Sequence, residues 1–198
     1  MRFRNRGHRY GIVAMTFHWL MAVCFLGQIG IGIAMTNLSL TDPRTFPLFQ
    51  THKSLGILLF VLAVLRLLWR FADAPPPLPA QMPHWQIRAS QAVHLGLYGC
   101  FIAMPLLGWV IVSASPYGIP TYFFSLIELP HLGFIVASPH KQAFSDAASL
   151  AHLVLAWAAS FLILGHIGAA LWHHFLNRDD VLRRMLPGHF LFSERPDI

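Results

Sequence analysis

A histidine inside hydrocarbon is costly and marks function by default. This chain has twelve histidines, and His18, His52, His152 and His166 are among those that fall within long apolar runs. His152 and His166 share one run, "AHLVLAWAASFLILGHIGAALWHHF", residues 151–175. Fourteen residues separate them, about 3.9 turns of helix, so they lie on one face about 21 Å apart. That distance is too long for one metal ion. It suits two cofactors stacked across a bilayer, one near each leaflet, each needing a partner ligand at its own depth. Zinc needs three or four ligands around one ion. A set of His166, His173 and His174 fails because adjacent residues leave a helix in different directions.

The elements that must carry these residues are membrane helices. Of the 198 residues 56% are hydrophobic and only 11% charged, against about 25% charged in a soluble domain. Four runs can cross about 30 Å of hydrocarbon: Gly11–Met35, Phe49–Phe71, Ala89–Ser113 and Ala147–Phe175. Backbone groups in lipid must bond internally, so runs of this length are helices. The first run follows a basic start, as in a signal peptide. It is longer than the 7–15 apolar residues of such a peptide and is read as a retained span. The prolines of "ADAPPPLPAQMPHW" end the second helix. The segment from Ser115 to Asp146 is long, apolar and broken by prolines, with room for a short interfacial helix. The expected fold is an all-α membrane protein: one domain over residues 1–198, a four-helix transmembrane bundle.

Lys and Arg set the orientation. One side collects Arg2, Arg4, Arg6, Arg9, Arg66, Arg70, Arg88, Arg178, Arg183, Arg184 and Arg195; the other has Arg44, Lys53 and Lys141. Both termini are therefore expected in the cytoplasm. The net charge of +6 does not point to nucleic acid, because the charges flank apolar runs and form no stripe with interleaved aromatics. Cys24 and Cys100 lie inside apolar runs and read as small buried hydrophobes. No CxxCH is present, which excludes covalent c-type haem attachment.

With that orientation the histidines sort by depth. His18 lies about one-third into the first span from the cytoplasmic end, and His166 sits at a similar depth in the fourth. His52 and His152 both stand near the outer ends of their helices. An inner pair, His18 with His166, and an outer pair, His52 with His152, are what bis-imidazole haem ligation in a helix bundle requires. Gly27, Gly30, Gly32, Gly56, Gly165, Gly168, Ala169 and Ala170 would leave room for flat rings, or serve close helix packing. His94 is a fifth intramembrane candidate, either replacing His18 or His166 as an inner ligand or bordering the inner haem or a quinone pocket. His173 either does likewise or snorkels to the interface. Arg66 and Arg70 read as partners of haem propionates or as plain cytoplasmic anchors. Lys53, Arg44 and Lys141 are candidates for drawing an anion to the outer side. His8, His84, His131, His140 and His189 are expected in solvated loops and tails.

The stretches "TFHWLMA", "THKSLGILLFVLAVLRLLWR", "HLGLYGCFIAMPLLGW", the two histidines fourteen apart, and "HHFLNRDDVLRRMLP" together resemble the bacterial cytochrome b561 family over residues 10–187. The resemblance implies two haems b, held by His18 with His166 and by His52 with His152. It also implies quinone meeting the inner haem near His94 and His173, in the bacterial inner membrane. Within such a family the expected activity is transfer of electrons from superoxide outside to ubiquinone. The alternative is a membrane anchor linking a soluble redox protein to quinone. A haem-free metal carrier or structural membrane protein is a third reading, which a red purified protein would reject. The apolar Ser115–Asp146 segment and the tail after Pro187 depart from the family pattern.

Overall fold

A computed structural model describes residues 3–39 and 41–186. The tail after Pro187, with His189 and Arg195, lies outside the described residues. Four long helices form the bundle: α1 (Ile12–Thr36), α2 (Thr45–Ala72), α3 (His84–Ala114) and α5 (Lys141–Trp172). All four are long and apolar enough to cross a membrane. They cover the expected spans and overrun them, because the interfacial turns remain helical. α5 continues into a π-helical turn, His173–Asn177. α1 packs on α2, α2 on α3, and α3 on α5.

Unlike a soluble bundle, this one is apolar outside as well as inside. Val23, Leu68, Leu95, Phe161 and Leu164 are among its many exposed large apolar side chains, as lipid-facing helices require. Its sealed core is small: Met21 and Phe25 from α1, Leu59, Leu62 and Ala63 from α2, Leu97, Cys100 and Phe101 from α3, and Ala159 from α5. Phe25 and Phe101 meet edge to face at 5.0 Å. Cys24 and Cys100 are unpaired. Ala159 lies midway between His152 and His166, so the core forms an apolar plug between the two histidine levels.

Outside the four helices the all-α expectation is amended by a small hairpin. Between α3 and α5, β1 (Thr121–Phe123) pairs antiparallel with β2 (Ile127–Leu129), followed by the short α4 (Gly133–Val136). The turn places Phe124 (φ 47°) and Ser125 (φ 60°) in the left-handed region, which neither residue favours. α2 holds it there. Ser54 Oγ donates to Tyr122 O at 2.9 Å and accepts from Phe124 N at 3.0 Å. Gln50 Nε2 and Lys53 Nζ both donate to Pro120 O at 3.0 Å.

The opposite end of the bundle, which carries the N-terminal arm and the segment after α5, is tied shut by polar contacts. The Asn5 backbone donates to Asp73 Oδ2 at 2.9 Å, and Asn5 Oδ1 accepts from Gly11 N at 2.8 Å. Trp19 Nε1 donates to Met185 O at 2.6 Å, and Arg184 Nη1 to Pro77 O at 2.7 Å. This end, rich in arginine, is called inner below, and the hairpin end outer.

Candidate functional site

The helix registers bring the depth-matched histidines together. At the outer level the His52 and His152 rings lie 6.3 Å apart, centroid to centroid. At the inner level His18 and His166 lie 6.0 Å apart. A metal atom held between two imidazole nitrogens needs two bonds of about 2 Å and two half-rings of about 1.1 Å, or roughly 6 Å in all. Both separations match. Among the described residues no group of three or more His, Cys, Asp or Glu could hold a metal ion, so two-ligand axial coordination of a prosthetic group fits better than a protein-only metal cage.

Glycines of neighbouring helices flank the outer pair. A Cβ at Gly32 of α1 would stand 3.6 Å from His52 Cε1, and one at Gly108 of α3 would stand 3.9 Å from His152 Cε1. Each ring therefore lies within van der Waals reach of a neighbouring helix, with room there for no more than a methyl group. His152 is also oriented. Its Nδ1–H donates to Met104 O at 3.1 Å, which leaves Nε2 as the free lone pair. A backbone acceptor on the far nitrogen is the usual second-shell partner of a ligating imidazole. Met104 precedes Pro105, the proline inside α3. Proline removes one helical N–H and disturbs the ladder locally. Of the other glycines expected to leave room, Gly56 packs on Gln28. A Cβ at Gly27, Gly30, Gly165 or Gly168 would meet no atom of this chain within 4 Å.

The inner level is more crowded. His94 stands 5.3 Å from His166, nearer than His18. Its Nδ1–H donates to Ser90 O at 2.7 Å. Arg66 Nη2 donates to His18 Nδ1 at 3.3 Å, and its guanidinium lies 5.6 Å from the centroid of the Tyr98 ring. The two candidate partners of His166 thus split two criteria. His94 carries its proton as a ligating imidazole would, while His18 has the separation an intervening atom needs. Separation is the stricter criterion, because a ring proton moves more easily than a helix.

Arg70, in the last turn of α2, and Arg66 both act on Tyr10, just before α1. Burial pushes the Tyr10 phenol up, and the positive charges of Arg70, Arg66 and Arg184 pull it partly back. A cationic shelf therefore underlies the inner level. His173, seven residues beyond His166 and the first residue of the π turn, donates through Nδ1 to Asp179 at 2.5 Å across that turn. It is held by a carboxylate at the inner rim and is not within ring contact of the inner histidines.

The outer cations are mostly occupied. Arg44 forms a two-pronged pair with Asp42, at 3.0 and 2.8 Å; that pairing holds the Asp42 carboxyl down at about 2. Lys53 is turned onto Pro120. His131, expected to be solvated, is half-buried and has a buried Nε2 without a partner among the described residues. One contributor escaped sequence reasoning: Gln28, 9% exposed, whose Nε2 donates to His52 O at 2.9 Å. Its signal was a lone amide in an apolar span, as unusual there as a histidine.

A family profile described as "Prokaryotic cytochrome b561" matches residues 9–188. Three relatives from bacteria align nearly end to end. "Cytochrome b561 homolog 2" of Escherichia coli (strain K12) is 38% identical, over 94% of this chain and 95% of its own. "Cytochrome b561 homolog 1" of the same organism is 35% identical, over 91% and 98%. "Probable superoxide oxidase CybB" of Yersinia pestis is 28% identical, over 90% and 96%.

Proposed function

The chain belongs to the prokaryotic cytochrome b561 family, and from that premise we propose that it is a di-haem b cytochrome of the bacterial inner membrane that oxidises superoxide outside and reduces ubiquinone at the cytoplasmic side. Haem b and membrane electron transfer come with the family. The observation that carries the di-haem reading is the pair of ring separations, 6.0 and 6.3 Å, at two levels divided by the apolar plug.

Haem b, when bound, supplies a one-electron iron couple at each level. His52 and His152 hold the outer group, and His18 and His166 the inner one. For His18 to ligate through Nε2 its proton must sit on Nδ1, so Arg66 must release that nitrogen. A propionate carboxylate is the partner that would take the guanidinium, with Arg70 beside it. Two superoxide anions each give up one electron and leave as dioxygen; one ubiquinone takes the two electrons and two protons from the inner side. His94, anchored at Nδ1, keeps Nε2 free to hydrogen-bond quinone. His173, backed by Asp179, stands nearer the inner rim on the path a proton would take. The superoxide part is supported by the printed name of the Yersinia pestis relative, and the quinone part by the extra imidazole and cation at the inner level.

One observation favours a second reading, in which a soluble redox protein is the donor. The outer hairpin region is apolar and exposed, with Leu126 at 81% and Phe134 at 72%, and Arg44 is neutralised by Asp42. The deciding experiment measures haem per chain in the purified protein, then ubiquinone reduction driven by superoxide. Two haems with turnover support the proposal. Two haems without turnover support the electron-transfer anchor, and one haem or none overturns both.

A further inference from the structure

Around the outer pair one imidazole is oriented and the other is not. His152 Nδ1 has Met104 O, while His52 Nδ1 is buried with no partner. Gln28 sits on the same side of α2. Its amide nitrogen donates to His52 O, and a Cβ at Gly56, one turn on, would come within 3.4 Å of that nitrogen. Gly32, one turn beyond Gln28 on α1, is the surface on which the His52 ring rests. Residues 28 and 32 of α1 therefore face residues 52 and 56 of α2 across a close contact.

Gln28 Oε1 is also buried and unpartnered. An unpaired ring nitrogen and an unpaired amide oxygen thus belong to the two residues of one close helix contact, and with the ring proton on Nδ1 each could satisfy the other. Thr121 Oγ1, the other buried unpartnered atom near α2 at this end, belongs to the hairpin on the Gln50–Ser54 face. At about 100° per residue that face lies well away from His52. A helix clamp alone accounts for the Gln28 nitrogen. It does not account for the buried, unpartnered amide oxygen.

We propose that Gln28 is a positioning residue for the outer imidazole pair: its Oε1 takes the Nδ1–H of His52, directly or through one water, and so directs Nε2 toward His152. The proposal rests on the reading of His52 and His152 as haem ligands. An acceptor on the far nitrogen makes a ligating imidazole more basic, which favours ferric over ferrous iron.

The test is a redox titration of the full-length purified protein and of its Gln28→Leu and Gln28→Glu variants, with haem content measured alongside. In Gln28→Leu one haem, the same one that His52→Ala removes, should shift to higher potential. A tenfold change in its ferric-to-ferrous ratio at fixed ambient potential, 59 mV for a one-electron couple, is the expected size. The other haem should not move. Gln28→Glu, which keeps an acceptor, should restore the outer potential or lower it. Loss of the outer haem alone from Gln28→Leu also supports the proposal. Unmoved potentials, or a shift in the haem that His18→Ala removes, would overturn it. If Gln28→Leu does not fold, Gln28→Glu decides: an outer potential at or below that of the unsubstituted protein supports the proposal, and a raised one overturns it. Fewer than two haems in the unsubstituted protein would instead overturn the di-haem reading, so the two failures are distinguishable.

Discussion

At the outer level two imidazoles face each other with glycines against their edges, one carbonyl behind His152, and a hairpin strapped to the helix that carries His52. At the inner level three imidazoles and the Arg66 guanidinium gather around the same kind of ring pair. The outer level has the parts to hold a flat group in place and little else. The inner level has spare hydrogen-bonding groups and positive charge, which a two-electron, two-proton acceptor needs and a one-electron donor does not. On the proposed function, the outer level needs only to hold its group where a one-electron donor can reach it, while the inner level must also serve quinone.

The largest expected effect breaks the outer level alone. Replacing His52 or His152 by Ala should reduce haem from two per chain to one, read by reduced spectra and haem extraction. Superoxide-driven quinone reduction should fall by about 100-fold or more, since second-shell losses alone reach 10–100-fold. Two haems surviving either substitution would show that these rings are not the outer ligands.

Next comes the division of labour at the inner level. His18→Ala should cost the inner haem. His94→Ala should keep both haems and slow quinone reduction by roughly 10–100-fold. If His94→Ala loses a haem while His18→Ala does not, the 5.3 Å contact is the ligating pair and the ring-separation argument fails. A smaller effect belongs to Arg66. Arg66→Leu removes a half-buried cation beside the inner pair, so the oxidised form of that haem should be favoured by about tenfold in ratio at fixed potential. The outer haem should be unaffected, because the plug separates the levels.

Much of this contrast was legible before any coordinates. His152 and His166 sit on one helix, so their spacing alone sets two depths. The tally of arginines at run ends orients the chain. His18 and His52 then find their partners by depth, because spans of similar length start from common planes. The three-way cluster was only half visible. His94 was a candidate, but its approach to His166 depends on how α3 rotates against α5, which no periodicity within α3 reports. The hairpin was invisible for a local reason. Phe124 and Ser125 lack the Asn-Gly chemistry that announces such a turn, and Ser54, a residue seventy positions away from Phe124, holds it. The π turn after Trp172 has no periodic signature either, and with it the pairing of His173 with Asp179. Gln28 went unread because attention fell on groups that ligate, not on groups that orient ligands.

The smallest expected effect concerns how the outer level attracts its donor. Arg44 is fully occupied by Asp42, so an anion approaching the hairpin end meets a neutral pair rather than a cation. The Asp42 carboxyl is held down at about 2 by Arg44. For a depressed carboxylate the pairing is complete above its ordinary value and is lost only as pH falls through the lowered one. Between about pH 5 and pH 8 this pair therefore contributes no pH dependence to electron entry. Asp42→Asn should free the guanidinium and raise the bimolecular rate with superoxide about two- to threefold at low ionic strength. The gain should vanish near 1 M salt, where the screening length is about 3 Å. The measurement is superoxide consumption against salt for both proteins. A salt-dependent gain would mark a small anion as the donor that reaches the outer haem. A rate that ignores the freed arginine would mean that steering plays no part, and would leave the apolar hairpin as the feature that selects what docks there.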